Sequence, residues 1–182
     1  MSNYITSNFS NLIFSCSVPS QWHMEHRVPD HCVVFVRQGK LLISDKGRTE
    51  EIPAGSCVFL KKDCSVRLVK ASFAGKNYEG LNIRLPQNIL EDYLQRHLKN
   101  NEFPQDFTGL SNCFMRLNRT LCLQGLLSSI ILFVEEGQDP GQEMTELKVE
   151  ELILDLLQTN IRFFPTLFDF YRDWNVDLKE FM

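Results

Sequence analysis

His31-Cys-Val-Val-Phe-Val-Arg37-Gln-Gly39-Lys40-Leu-Leu-Ile-Ser44 is the stretch on which the fold turns. A near-continuous run of β-branched and aromatic residues, a break at Gln38-Gly39 and a second apolar run predict two strands joined as a hairpin. Asp45-Lys-Gly47 supplies the next turn, its glycine suited to the left-handed residue that closes a short loop, and Arg48 to Ile52 follows as a third antiparallel strand. In Ile52-Pro-Ala-Gly55 proline stands second and glycine fourth, the pattern of a type I turn, which delivers the chain into Ser56-Cys-Val-Phe-Leu60. Further on, Val66 and Leu68 alternate with Arg67 and Val69, and Leu81, Ile83 and Leu85 alternate with Gly80, Asn82 and Arg84, so each strand has one buried and one wetter face. This grammar predicts an antiparallel β-sandwich or barrel over residues 1–85.

At Pro86 the period changes. Ile89, Leu90, Tyr93, Leu94 and Leu98 form the one-sided stripe of a short amphipathic helix, with the proline at its start, where a missing N–H costs nothing. From about Arg119 to Glu136, Leu123, Leu126, Leu127, Ile130, Ile131 and Val134 form a second stripe, with Leu121, Cys122, Leu132 and Phe133 off it; Gly137 and Pro140 supply the stop. Glu143 to Gln158 is a third helix, with Met144, Leu147, Leu154 and Leu157 on one face and acidic Glu143 and Glu146 in its first turn, where the helix dipole favours them. The last two form a hairpin joined by Gly137 to Gln142, and the fold class is α+β, with residues 86–163 as a helical half. A helix docks on a core with an apolar arc of about 100°, and this hairpin carries more. Two readings follow: both helices are covered within the chain, or the hairpin is a homodimer seam. The seam reading assigns the interface to Leu126, Leu127, Ile130, Ile131, Val134, Leu147, Leu154 and Leu157.

The 182 residues suit about one domain, and 43% hydrophobic with 23% charged residues is ordinary for a globular chain, which excludes disordered, collagenous and disulfide-scaffold classes. A formal charge of −4 is the wrong sign for gripping phosphates, and Arg119 to Asn160 holds two basic residues against eight acidic ones, so nucleic acid is not a direct partner. The N-terminus lacks a basic flank and apolar core, and the longest purely apolar run, Ile130 to Val134, is far below the roughly 18 residues of a membrane span. Six cysteines without a C-x-x-C pair suit reduced thiols, and cytoplasm is the expected location.

The end of the chain reads as a beginning. Asp177-Leu-Lys-Glu180-Phe-Met182 places an N-cap aspartate and a glutamate in capping-box position, yet too few residues follow to nucleate a helix. Residues 164–182 are therefore expected to be a linker and the first turn of a further domain.

Signals for catalysis are weak. His23-Met-Glu-His26 with His31 is the best metal candidate, but positions i and i+3 of a strand point apart, and no later histidine follows Pro53-Ala-Gly55. Ala54-Gly-Ser-Cys57 lacks the G-x-S-x-G of a nucleophile elbow and lies between strands. Cys32, Cys57 and Cys64 stand in apolar strand contexts, where a thiol is usually inert filling. No metal and no cofactor is expected. A small sandwich encloses a pocket among inward side chains, which places Phe35 and Arg37 from one strand and Cys57 and Phe59 from another in it, with Trp22 near the mouth; plain core packing, with Arg37 facing solvent, is the other reading.

The order of these pieces carries a resemblance. His31 to Leu60, with its Gly39 break and Ile52-Pro-Ala-Gly55 turn, is similar to the cupin-like N-terminal domain of AraC/XylS-family transcription regulators. Leu147-Lys-Val-Glu-Glu-Leu-Ile-Leu-Asp-Leu-Leu157 resembles the last dimerisation helix of the subgroup that includes activators of type III secretion genes. Asp177 to Met182 looks like the opening of the family's helix-turn-helix domain. The resemblance implies a non-catalytic regulatory domain: a β-sandwich that senses a small-molecule effector or regulatory protein, a helical pair that forms a homodimer, and promoter DNA touched only through a further C-terminal domain. Two alternatives have distinct requirements. A cupin metalloenzyme needs paired strand histidines, and a cyclic-nucleotide sensor needs a glycine-glutamate turn followed by an arginine for the cyclic phosphate, an order that Asn77-Tyr-Glu-Gly80 lacks.

Overall fold

The structure is a computed structural model, described for residues 5–19, 21–97 and 108–170. Among the described residues ten strands and four helices follow in order: β1 (Ile5–Phe9), β2 (Ile13–Val18), β3 (Trp22–Arg27), β4 (His31–Gln38), β5 (Lys40–Asp45), β6 (Arg48–Pro53), β7 (Cys57–Leu60), β8 (Ser65–Ala71), β9 (Tyr78–Leu85), α1 (Gln87–His97), β10 (Phe114–Arg116), α2 (Leu121–Glu136), α3 (Gln142–Thr159) and α4 (Phe163–Leu167). One sheet runs β1-β2-β9-β4-β7-β10 and the other β3-β8-β5-β6, and every strand pair in them is antiparallel.

The six-stranded sheet is the middle of three layers. Val34, Val36, Val58 and Leu60 point toward the four-stranded sheet and meet Leu41, Ile43, Ile52, Val66 and Leu68 there. Val33, Cys57, Phe59, Leu81, Ile83 and Leu85, of opposite parity, meet Leu90, Leu126, Ile130, Val149, Leu152 and Ile153 of the helices. A sheet covered on both faces needs strands apolar on both faces, which is why β4 reads as a continuous run and all four residues of β7 are buried.

This layering changes the reading of the opening stretch. β4 and β5 do not pair; they belong to different sheets, and Gly39 alone turns the corner between them. Its φ is +72°, and a Cβ there would stand 2.6 Å from the Ala71 carbonyl oxygen and 2.8 Å from the Tyr78 Cα, so only glycine fits. One residue cannot make the two-residue hairpin loop that the pattern suggested. The β5–β6 hairpin and the β6–β7 turn are as expected.

The helices follow their stripes. Ile89, Leu90, Tyr93 and Leu94 are buried on α1. Thr120 caps α2, its side chain accepting from the Leu123 N–H, and Gly137 ends it in the left-handed conformation. The three N-terminal strands, β10 and α4 have no counterpart in the sequence reading, and β10 carries the chain after Pro86 back into the six-stranded sheet beside β7. The helix start expected at Asp177 to Met182 lies outside the described residues, as does Leu98.

Candidate functional site

Between the sheets lies a cavity of about 150 Å³, walled by Met24, Val28, Cys32, Val34, Leu41, Leu60 and Leu68, with Asp30, Lys70, Asn82 and Arg84 as its polar residues. Lys70 continues the inward series Val66, Leu68 on β8. Its ammonium lies 5.0 Å from the Trp22 ring and 5.4 Å from the Tyr78 ring, accepts nothing, and donates to Cys16 Sγ at 3.3 Å. No carboxylate among the described residues is within ion-pair distance of it. Arg84 differs, since it is paired with Asp30. Burial pushes the Cys32 thiol up to about 12, with Asp30 adding to the effect and Arg84 opposing it, and burial likewise raises the Tyr78 phenol. The cavity is thus largely apolar; its charged residues are the paired Asp30 and Arg84 and, apart from them, Lys70, whose ammonium meets two rings and the Cys16 sulfur.

A larger groove of about 690 Å³ runs between the β6–β7 turn, the segment leaving β10 and α2. Phe35, Cys57, Leu117, Leu123, Leu127 and Ile131 line it, with Arg116 and Arg119 as its only charged residues. Arg116 donates to Ser56 Oγ at 2.8 Å. Burial pushes the Cys57 thiol up to about 12, with Arg119 opposing and Asp155 adding, so this cysteine is a neutral wall and no nucleophile at neutral pH.

The expected pocket residues therefore divide. Trp22 faces the interior of the sandwich and packs on its core. Phe35, Cys57 and Phe59 point the other way, toward the helices, because the inward parity of β4 and β7 belongs to Val34, Val36, Val58 and Leu60. Phe35 and Cys57 meet in the groove, whereas Phe59 is fully buried between His31, at 5.5 Å, and Phe163, at 5.0 Å. Arg37 is fastened to Glu135 at the end of α2 and lies 3.7 Å from Glu79, so it ties helix to sheet and does not face solvent alone. Lys70, Asn82 and Arg84 went unassigned in the sequence. The sequence carries no clear signal for them: alternation assigns Asn82 and Arg84 to a wetter face, and Lys70 ends an otherwise apolar inward series on β8.

The expected interface residues divide as well. Leu126, Leu127 and Ile130 are core residues of this chain, and Val134 and Leu157 are half-buried against the same core, while Ile131 lines the groove. They fill the contact between helices and sheet, which was hidden from the periodicity because the sheet's second apolar face was not recognised. Leu147 and Leu154 are 57% and 47% exposed, and with them stand Leu121, Leu132 and Met144, so the uncovered apolar residues of α2 are the ones off its main stripe. Of the candidate metal residues, His23 is exposed on the four-stranded sheet and His31 is buried on the helix side of the other, so these two do not converge.

A double-sheet barrel with a helical layer on one sheet is the architecture of a cupin-like regulatory domain of the AraC type. The model of the family described as ExsA N-terminal regulatory domain matches residues 31–163, and the chain belongs to that family. Among solved structures it is similar to an apo point variant of ToxT from Vibrio cholerae, at 13% identity and a TM-score of 0.60, covering 89% of this chain and 60% of that one. It is also similar to wild-type ToxT bound to an unsaturated fatty acid, at 13% identity and TM-score 0.55 over 81% of this chain and 53% of that one. ToxT bound to a methylnaphthalenyl butenoic acid matches at 14% identity and TM-score 0.55, over 81% and 55%. The chain thus spans less than two thirds of the length of these proteins. Among curated proteins none matches it in sequence. No helix among the described residues is long and apolar enough to cross a membrane.

Proposed function

We propose that the chain is the signal-sensing and pairing part of a cytoplasmic AraC-type transcription regulator, acting without catalysis on a DNA-binding domain that follows it. The observation that carries the sensing role is Lys70, an ammonium at a largely apolar cavity whose one lining carboxylate, Asp30, is paired with Arg84 and not with it. A small apolar effector with an anionic group supplies that partner and buries its body against Met24, Val28, Leu41, Leu60 and Leu68. Two of the similar ToxT structures hold carboxylic acids of this kind, which supports the reading. An effector that prefers one spacing of the sheets shifts the domain by its preference and no more. The exposed Leu121, Leu132, Met144, Leu147 and Leu154 support homodimerisation through the outer face of the α2–α3 hairpin.

The test is methyl-resolved NMR of the chain titrated with butyrate and hexanoate, which fit a cavity of this size. Shifts at Leu41, Leu60 and Leu68 that weaken about tenfold in Lys70→Met are expected. Unmoved methyls in the sandwich, or equal binding by the variant, overturn the sensing role.

A further inference from the structure

The groove between α2 and the six-stranded sheet has no part in that reading, and its chemistry is of a different kind. Leu123, Leu127 and Ile131 recur every four residues along α2 and so line one side of it for about 12 Å at 1.5 Å per residue. Phe35, Cys57 and Leu117 form the opposite wall. The charged groups gather where α2 begins, Arg116 hydrogen-bonded to Ser56 and then Arg119 beside Asn118, while the uncharged Gln124 and Ser128 also border the groove further along the helix.

Neither arginine has an ion-pair partner among the described residues, although the chain as a whole is net negative. Asp155, the nearest buried carboxylate to this end of α2, is occupied by the Thr120 hydroxyl at 2.8 Å. A guanidinium presents a planar fork that matches a carboxylate or a phosphate. The volume of about 690 Å³ lies in the ordinary range of small-molecule sites, whereas the cavity between the sheets is several times smaller.

We propose that this groove is a second ligand site, which takes an amphipathic organic anion with its carboxylate or phosphate head between Arg116 and Arg119 and its apolar body along Leu123, Leu127 and Ile131. The head is held by charge and forked hydrogen bonds, and the tail is held by burial against two apolar walls. The site stands independently of the cavity at Lys70. Its occupant props α2 against the β6–β7 turn, so binding acts on the helix whose outer face carries the exposed leucines.

The test titrates the chain with decanoate, decyl phosphate and decanol, and reads Leu and Ile methyl shifts. Either anion is expected to move Leu123, Leu127 and Ile131, and to lose at least tenfold in affinity in Arg116→Gln/Arg119→Gln. Decanol is expected to bind at least tenfold more weakly than the better anion. Lys70→Met leaves these shifts in place, so failure here and failure of the sensing role are read separately. Preference for decyl phosphate over decanoate assigns the head as a phosphate ester, and the reverse assigns it as a carboxylate. Equal binding of decanol and both anions, shifts confined to Leu41, Leu60 and Leu68, or an unchanged affinity in a double variant with wild-type Tm overturns the proposal.

Discussion

His31 makes stability depend on acidity in a calculable way. The ring is fully buried on β4, stacks on Phe59 at 5.5 Å and accepts the Lys62 N–H through Nδ1 at 3.1 Å. Burial lowers its pKa from 6.5 to about 4; nearby Asp169 opposes this, Lys62 and Lys61 add to it, and the Thr166 backbone opposes it. Between these two values the unfolded chain takes up a proton that the folded chain refuses. Stability attributable to this group is therefore intact above pH 6.5 and declines as pH falls toward 4. At about 1.4 kcal/mol for each tenfold change in the protonation equilibrium, the loss is about 2 kcal/mol at pH 5 and approaches about 3 kcal/mol at pH 4. Urea unfolding of the wild type and of His31→Gln at pH 7.5, 6 and 5 isolates the histidine, because the carboxylates titrate alike in both. The wild type is expected to lose about 2 kcal/mol more than the variant between pH 7.5 and pH 5. Profiles that stay parallel within about 0.5 kcal/mol, whatever their offset, refute the reasoning.

The paired reading of the helical hairpin predicts that Leu132→Asp/Leu147→Asp halves the mass seen by light scattering without lowering Tm, while Ile130→Asp, a core substitution, unfolds the chain at a cost of about 4 kcal/mol or more. A monomeric wild type removes the pairing. Thr120 both caps α2 and donates to the buried Asp155, so Thr120→Ala is expected to cost about 2 to 3 kcal/mol in urea unfolding, with part of it recovered when Asp155→Ala is added. A loss under about 0.5 kcal/mol shows that neither bond matters.

Much of the fold was legible because turns and stripes are local signals. Gly47, Pro53, Gly55 and Gly137 marked boundaries that the structure keeps. The pairing of strands was less legible, since Gly39 reads the same in a hairpin and at a corner between sheets; the difference lies in Ala71 and Tyr78, distant in sequence, which crowd it. β10 is three residues long and gains its place only from β7 beside it. The expected pocket residues divide by parity: one position along the strand decides which layer a residue enters, so Phe35, Cys57 and Phe59 face the helices while Trp22 faces the other sheet. Lys70 and Asn82 were visible only to a reading that expects polar residues to point inward.

β7 has four residues, alternately committed to two separate interiors. A plate clamped on both sides cannot tilt toward one without lifting from the other. A change of spacing between the two β-layers therefore bears on the helices through the side chains of one strand. Such a domain behaves as a single lever whose pivot is its most deeply embedded strand.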